Sequence, residues 1–333
     1  MQTNEPAELI GIDATEFSRT LESHRRELHV HCYRMTGSLT DAEDLVQETF
    51  LRAWRAKDDF EWRSSTRTWL YRIATNACLD ARRRADRRTI PAALSDDPLE
   101  SDRTIQPYPD SMLFGSPGED PANAVVARET IELVFIAALT RLPPRQRAAF
   151  IARDVLELSA AETAVLLDVS ETSANSLVQR ARTTMRAHIR AVDVSTRTAE
   201  IADVEDKIVR QYVEAHERGD HEAIVAILRA DVRITMPPER ACIGLEAATA
   251  FFAYILGPGG PGDWRLVPTR ANNRPAVANY LRHPGEQAWR ALSIDLLDIV
   301  DGQLRTINCF LGHEPFALFG LEPELPPDEL ELA

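Results

Sequence analysis

The sequence predicts a multidomain chain: two all-α helical modules, the second with a helix-turn-helix, followed by an α+β cone built on a curved antiparallel sheet. Three observations predict it. Residues 17–88 carry helical periodicity without a proline, and the same period returns over 125–192, broken at Pro143-Pro144. From residue 201 helices come first, and a period of two follows in Val232, Ile234 and Met236. Between the helical blocks, residues 89–124 are acidic, rich in Pro and Gly, and without a period, which reads as a linker. The remaining divisions are an N-terminal tail over 1–16, a polar linker over 193–200, the α+β domain over 201–316 and an acidic tail over 317–333.

A length of 333 residues allows two or three domains at roughly 100–200 residues each. The apolar fraction of 44% and charged fraction of 27% are those of a globular chain. No apolar run approaches the roughly 20 residues a membrane helix needs, and the N-terminus lacks a signal-peptide pattern, so no membrane partner is expected. Cys32, Cys78, Cys242 and Cys309 are far apart and without zinc-ligand spacing. They are expected to be reduced core thiols of a cytoplasmic protein, with no metal and no cofactor. The net charge of −14 argues against tight DNA binding by the chain alone, because duplex affinity comes largely from Lys and Arg on phosphates. A DNA reader of this charge needs local basic patches, such as ARRRADRR over 81–88, or a partner that supplies most of the affinity.

In the first block, Thr40 with Glu43 three residues on makes a capping box that opens a helix. Ala42, Val46, Phe50, Ala53 and Trp54 take its apolar face. Asp41, Asp44, Glu48 and Arg55 take another, which on spacing alone is a solvated bundle face as readily as a docking surface. Residues 64–66 cap a second helix over 67–84. Leu70, Ile73, Ala74, Ala77 and Ala81 form its buried stripe, and Trp69, Arg72, Asn76 and Arg83 its opposite face. An exposed ring stacks on a base, Arg neutralises phosphate and Asn pairs with a base edge. The alternative for Trp69 is core packing with Phe60 or Trp62.

The stretches DAEDLVQETFLRAWR (41–55) and RTWLYRIATNACLDARRR (67–84), in this order and separation, resemble region two of sigma-70 family RNA polymerase sigma factors of the extracytoplasmic-function type. The resemblance implies that Asp41, Asp44, Gln47 and Glu48 dock the clamp coiled coil of core RNA polymerase. It implies that Trp69, Arg72, Asn76 and Arg83 face the −10 element of promoter DNA, and that residues 60–66 hold a flipped base. The acidic linker would then pass through the polymerase cleft as a phosphate mimic, although a plain spacer has the same composition.

Ser159 and Glu162 make a second capping box, Asp168-Val169-Ser170 a turn, and residues 171–190 a longer helix, which is helix-turn-helix spacing. Ala164 is small where the two helices cross, and Ala174, Val178, Ala181 and Met185 form the buried stripe. Thr172, Asn175, Ser176, Gln179 and Arg180 point outward, where Asn and Gln suit adenine and Arg suits guanine or phosphate. Preceded by LPPRQRAAFIARDVLELSAAETAVLL (142–167), this pattern resembles region four of the same factors, the reader of the −35 element and partner of the polymerase flap. Two departures stand out. Asp168 replaces the Gly usual in the turn, and Asp tolerates the left-handed conformation. Asn175 and Leu177 stand where many relatives carry Lys or Arg, which predicts a flatter salt dependence of −35 binding.

In the third block, Ile201, Val204, Ile208, Tyr212 and Ala215 make an amphipathic helix ending at Gly219, and a second helix runs over 220–228. A helix is expected near 245–256 and strands near 264–268, 276–282, 288–300 and 304–311, with Asp301-Gly302 as a hairpin turn. With VRITMPPE (232–239) and RPAVANYL (274–281), the order resembles a SnoaL-like domain, a superfamily that wraps a sheet around an apolar pocket and includes both enzymes and empty scaffolds. Trp264, Tyr280, Trp289, Asn308 and His313 are candidates to line such a pocket, or else ordinary core and rim. Its small-molecule ligand is unknown, and no acid–base pair marks a catalytic residue. The domain is expected to regulate, with Phe316, Leu318 and Phe319 of the tail packing on the helical modules. Two other classes compete: a SnoaL-like enzyme, and a helix-turn-helix repressor or activator binding duplex DNA as a dimer. Both leave residues 17–88 unexplained.

Overall fold

The structure is a computed structural model and describes residues 14–57, 65–86, 105–113, 130–189, 199–237 and 239–327. Most of the loop expected to hold a flipped base therefore lies outside the described residues, as do Arg87 and Arg88 of the basic patch. The chain divides into a helical unit, residues 1–92 with 120–192, and a second unit, residues 93–119 with 193–333.

In the helical unit, α1 (Ala14–Ser23) buries Phe17 and Leu21, and α2 (Arg25–Thr36) is buried from Leu28 to Met35. Gly37 closes α2 in the left-handed region at φ 77°. That leaves one extended residue before α3 (Leu39–Arg55), so the N-cap is Ser38, whose hydroxyl accepts from the Asp41 N–H at 3.1 Å. The sequence expected Thr40 there; Thr40 lies inside the first turn instead. Ser65 caps α4 (Thr66–Asp86), accepting from the Thr68 N–H at 3.2 Å.

Beyond the linker come α5 (Leu133–Thr140) and α6 (Pro144–Phe150), with Pro144 in the first turn where a missing N–H is harmless. A π-helical turn over Ile151–Val155 leads to α7 (Ala160–Leu167). Both bonds of the Ser159–Glu162 capping box form, at 3.1 and 2.8 Å. Asp168 takes the left-handed conformation at φ 52°, and α8 (Glu171–Ile189) follows, with Ala174, Val178, Ala181 and Met185 buried.

The sequence reads two helical modules apart, yet they pack into one unit, with α4 against α6 and α7. Arg147 ties them together. Its buried guanidinium donates to the Met35 carbonyl of α2, to the Thr140 carbonyl at 2.7 Å and to the Leu142 carbonyl at 3.3 Å. Arg34 of α2 reaches across to the Thr130 hydroxyl.

The second unit begins with α9 (Ala199–Glu217) and α10 (His221–Ala226), the latter capped by Asp220. Then come β1 (Leu228–Thr235), β2 (Cys242–Ile243), α11 (Leu245–Leu256), β3 (Asp263–Ala271), β4 (Arg274–Arg282), β5 (Trp289–Val300), β6 (Gln303–Leu311) and β7 (Glu324–Leu325). The sheet order is β2-β1-β6-β5-β4-β3, with β7 on β5. It is antiparallel as expected except between β1 and β6, which pair in parallel, so the sheet is mixed. Two tight turns set its register: Asn272-Asn273 between β3 and β4, and Asp301-Gly302 between β5 and β6, all four residues at positive φ. One sheet face packs Leu266, Val277, Leu297 and Ile307 against Ile208 and Tyr212 of α9 and Phe252 of α11. Residues 316–325 fold on the domain's own sheet: Phe316 meets the Tyr280 ring edge-on at 5.3 Å, and the Ala291 N–H reaches the Pro323 carbonyl at 2.9 Å. Phe316 is thus a core residue of this domain, where the sequence expected it on the helical modules.

Replacing Arg147 by Met strands three buried carbonyls, each costing about 1–3 kcal/mol. Urea titration of Arg147→Met should show the helical unit destabilised by at least about 3 kcal/mol, whereas Arg180→Met, on the exposed face of α8, should leave it within about 0.5 kcal/mol.

Candidate functional site

On α3, Asp41, Asp44 and Gln47 are exposed and lie on one stripe, as helical spacing dictates. Glu48, on the same stripe, is half-buried and paired with Arg52 at 2.7 Å, and Arg52 continues to Asp80 of α4 at 3.1 Å. Leu51 extends the stripe as an exposed apolar residue that the polar reading of this face missed, and Trp54, expected on the apolar face, is exposed beside it. Leu51 stands three residues after Glu48 and Trp54 seven after Gln47, and that helical spacing was the available signal.

On α4, Arg72, Asn76 and Arg83 are exposed on one face, with Arg83 3.4 Å from Asp80. Trp69 is not with them: it is 6% exposed. The expectation of an open stacking ring is corrected, because α4 is covered by α2 and α3 and again by α6 and α7. Below this face, Glu27 gathers His24 at 2.5 Å, Arg67 at 2.7 Å and the Tyr71 hydroxyl at 3.1 Å. On α8, Thr172, Asn175, Ser176, Gln179 and Arg180 are all exposed, as the helix-turn-helix reading requires.

In the second unit, residues 105–113 of the linker are folded against the β3–β4 turn, although their composition reads as a spacer. The Tyr108 N–H donates to Asn272 Oδ1 at 2.8 Å, and the Asn272 N–H donates to the Tyr108 carbonyl at 2.8 Å. The Asn273 N–H donates to Asp110 Oδ1 at 2.8 Å, and Arg270 stands 3.5 Å from the Asp110 carboxylate. Pro109 bridges to Ala271, and Ile105, Tyr108, Asp110 and Leu113 are buried. An Asn-Asn pair, two residues that tolerate positive φ, was the missed signal for the turn.

Residues 20–88 match the Sigma-70 region 2 family, residues 132–185 match Sigma-70, region 4, and residues 209–307 match the SnoaL-like domain. The ECF RNA polymerase sigma factor SigG of Mycobacterium tuberculosis is 38% identical over 320 residues, covering 93% of this chain and 85% of that protein. The chain belongs to the ECF RNA polymerase sigma factors. SigJ of the same organism, also an ECF sigma factor, is 28% identical over 292 residues, covering 85% of this chain and 88% of its own. The crystal structure of SigJ aligns with a TM-score of 0.57 at 25% identity, over 90% of this chain and 98% of that one. This sigma factor is therefore a promoter-recognition subunit, whose family binds core RNA polymerase and promoter DNA.

The residues expected to line a pocket in its SnoaL-like domain are divided between the two faces of the sheet. Strand register puts Trp264 on the sheet face that meets α9 and α11, with its indole N–H on the Ile255 carbonyl at 3.2 Å. Tyr280, paired with Arg265, and Asn308, paired with Leu296, lie on the other face. There the Tyr280 hydroxyl donates to the Glu322 carbonyl at 2.9 Å and Asn308 bonds Thr235 at 2.9 Å. Trp289 lies under the guanidinium groups of Arg265 and Arg282, at 4.9 and 4.4 Å. His313 is exposed.

A different polar set occupies the helix-facing interior. Asn279 Nδ2 donates to the Ser293 hydroxyl at 3.0 Å, which donates to Asp295 Oδ1 at 2.8 Å. His216 of α9 is 3% exposed, ringed by Tyr212 at 5.3 Å, Trp264 at 5.1 Å and Phe252 at 6.1 Å. Neither of its ring nitrogens meets a hydrogen-bond partner among the described residues. Burial pushes the imidazole down to about 3, so it is neutral. Burial pushes the Asp295 carboxyl up to about 6 against the pull of Ser293, Cys309 and Asn279. A carboxyl whose folded pKa is raised stabilises the fold fully below its unfolded value, and that contribution is lost as pH rises through the folded value. Stability of the domain should thus fall between about pH 4 and pH 7, by on the order of 3 kcal/mol from this group. Asp295→Asn should flatten that fall in denaturation curves taken across the window.

Proposed function

We propose that this sigma factor docks the clamp coiled coil of core polymerase with Asp41, Asp44, Gln47 and Glu48, extended by Leu51 and Trp54. In the same reading, Arg72, Asn76 and Arg83 address the −10 element, with Trp69 holding α4 in place from the core. Thr172, Asn175, Ser176, Gln179 and Arg180 address the −35 element, and region 4 meets the polymerase flap. The protein works in the cytoplasm and carries no catalysis of its own. Exposure of Arg72, Asn76 and Arg83 on α4 and of Thr172, Asn175, Ser176, Gln179 and Arg180 on α8 supports the assignment, since base edges and phosphates are reached only by side chains open to solvent.

The SnoaL-like domain acts as a restraint on initiation. The observation that carries this is the clasp of Tyr108 and Asp110 on the Asn272-Asn273 turn. Residues 105–113 stand between regions 2 and 4, so a domain that holds them fixes the chain that must span two promoter elements. Charge complementarity with a basic polymerase surface explains the acidic stripe on α3 and lets a chain of net charge −14 reach DNA through its partner.

Run-off transcription with core polymerase on genomic fragments tests both parts. Asp44→Arg and Glu48→Arg each place like charge on the docking stripe and should abolish defined transcripts; full activity in both would remove the docking assignment. Asn272→Gly keeps the turn and removes the side-chain acceptor for Tyr108. Paired with Asp110→Ala, it should speed amide exchange at residues 105–113 and raise transcript yield in the full chain. Faster exchange with unchanged yield would reject the restraint.

A further inference from the structure

The start of α6 and the first turns of α8 enclose a shallow recess of about 360 Å³. Arg145 and Arg180 line it together with the hydroxyl-bearing Thr172, Ser173 and Ser176, and the lining includes no carboxylate. Arg145 does not belong to the reading helix. It comes from the first turn of α6, and one terminal nitrogen donates to the Leu167 carbonyl at the end of α7 at 3.3 Å. That bond holds its guanidinium beside the helix-turn-helix turn, at a helix C-terminus where a cation is favoured, and leaves most of its five N–H donors unengaged. Arg180 makes one weak bond, Nε to the Ser176 carbonyl at 3.3 Å, which leaves both terminal amino groups for an outside acceptor. Arg182, farther along α8, is different: Asp154 occupies it with contacts of 2.8 to 3.2 Å. Of these arginines, the two at the recess are therefore the ones with donors to spare, and both are exposed.

We propose that this recess seats a backbone phosphate of the promoter duplex, and that Arg145 is a phosphate-positioning residue of region 4. Two guanidinium groups lining one recess with the Thr172 and Ser173 hydroxyls match a phosphodiester, which offers acceptors and a single negative charge, while the Ser176 hydroxyl donates to the Thr172 carbonyl at 2.9 Å. The recess lies on the face that also carries Asn175 and Gln179, so a seated phosphate fixes how deep and at what register α8 meets the base edges. Asn175 and Leu177 withhold positive charge from the outer face of α8, and Arg145 returns one charge from a neighbouring helix. The inference rests on the reading of region 4 as a duplex-DNA reader.

The test uses holoenzyme assembled from core polymerase and the full chain, with promoter fragments recovered from the run-off screen, and measures affinity against monovalent salt. Arg145→Gln should weaken binding roughly tenfold and reduce the slope of log K on log salt by about 0.9. The loss should be the same on fragments that differ in −35 sequence, and Arg145→Lys should restore the slope. One methylphosphonate in the −35 duplex, which removes a single phosphate charge, should cost the wild type as much as Arg145→Gln does and cost that variant nothing further. A loss that varies with −35 sequence, or an unchanged slope, would overturn the proposal. Wild-type holoenzyme that initiates at no defined start would instead sink the promoter-reading assignment beneath it.

Discussion

A guanidinium shut away from water has to find its acceptors inside the protein, and Arg147 finds them on three main-chain carbonyls. Met35 and Thr140 stand in the last turns of α2 and α5, where helix carbonyls lack partners and the dipole is negative. One side chain thus satisfies two helix ends that lie on opposite sides of the linker in sequence. Burial lowers its pKa to about 10, and the neighbouring Arg82 charge pushes the same way, yet it stays charged at neutral pH. That charge needs those carbonyls in place, so α2 of region 2 and the start of region 4 share one geometry. Trp69 and Cys78 of α4 are buried within the same unit, along with the apolar stripe that periodicity marks.

The clasp on the linker is of another kind. Its hydrogen bonds involve the main chain of Tyr108, Asn272 and Asn273 and two short polar side chains, so it depends on the local shape of a turn. Such a contact is individually modest, about 1 kcal/mol per bond.

What the sequence made legible was local. The helix-turn-helix shows itself in the Ser159 box, the left-handed Asp168 and the four-residue apolar stripe of α8, and each needs only a few neighbours to be understood. Trp69 could not be placed because periodicity assigns faces to a helix in isolation, and α4 is covered on more than one side. The aromatic residues chosen for a pocket were chosen by type. Their side of the sheet depends on pairing register, and Trp264 opposite Leu281 but Arg265 opposite Tyr280 puts adjacent positions on opposite faces. The parallel β1–β6 pair and the folded linker join residues far apart in sequence, and acidic, Pro-rich composition has no way to announce a distant turn.

Tyr108 and its acceptor Asn272 are 164 positions apart. Ribosomes add about 5–20 residues per second, so a growing chain completes both of its sigma regions well before the turn that grips the linker has been made. The parallel seam between β1 and β6 delays the domain further, since an early strand must wait for one of the last. Every newly synthesised copy therefore carries both sigma regions for an interval long on the timescale of helix packing before residues 105–113 have that turn to bond to.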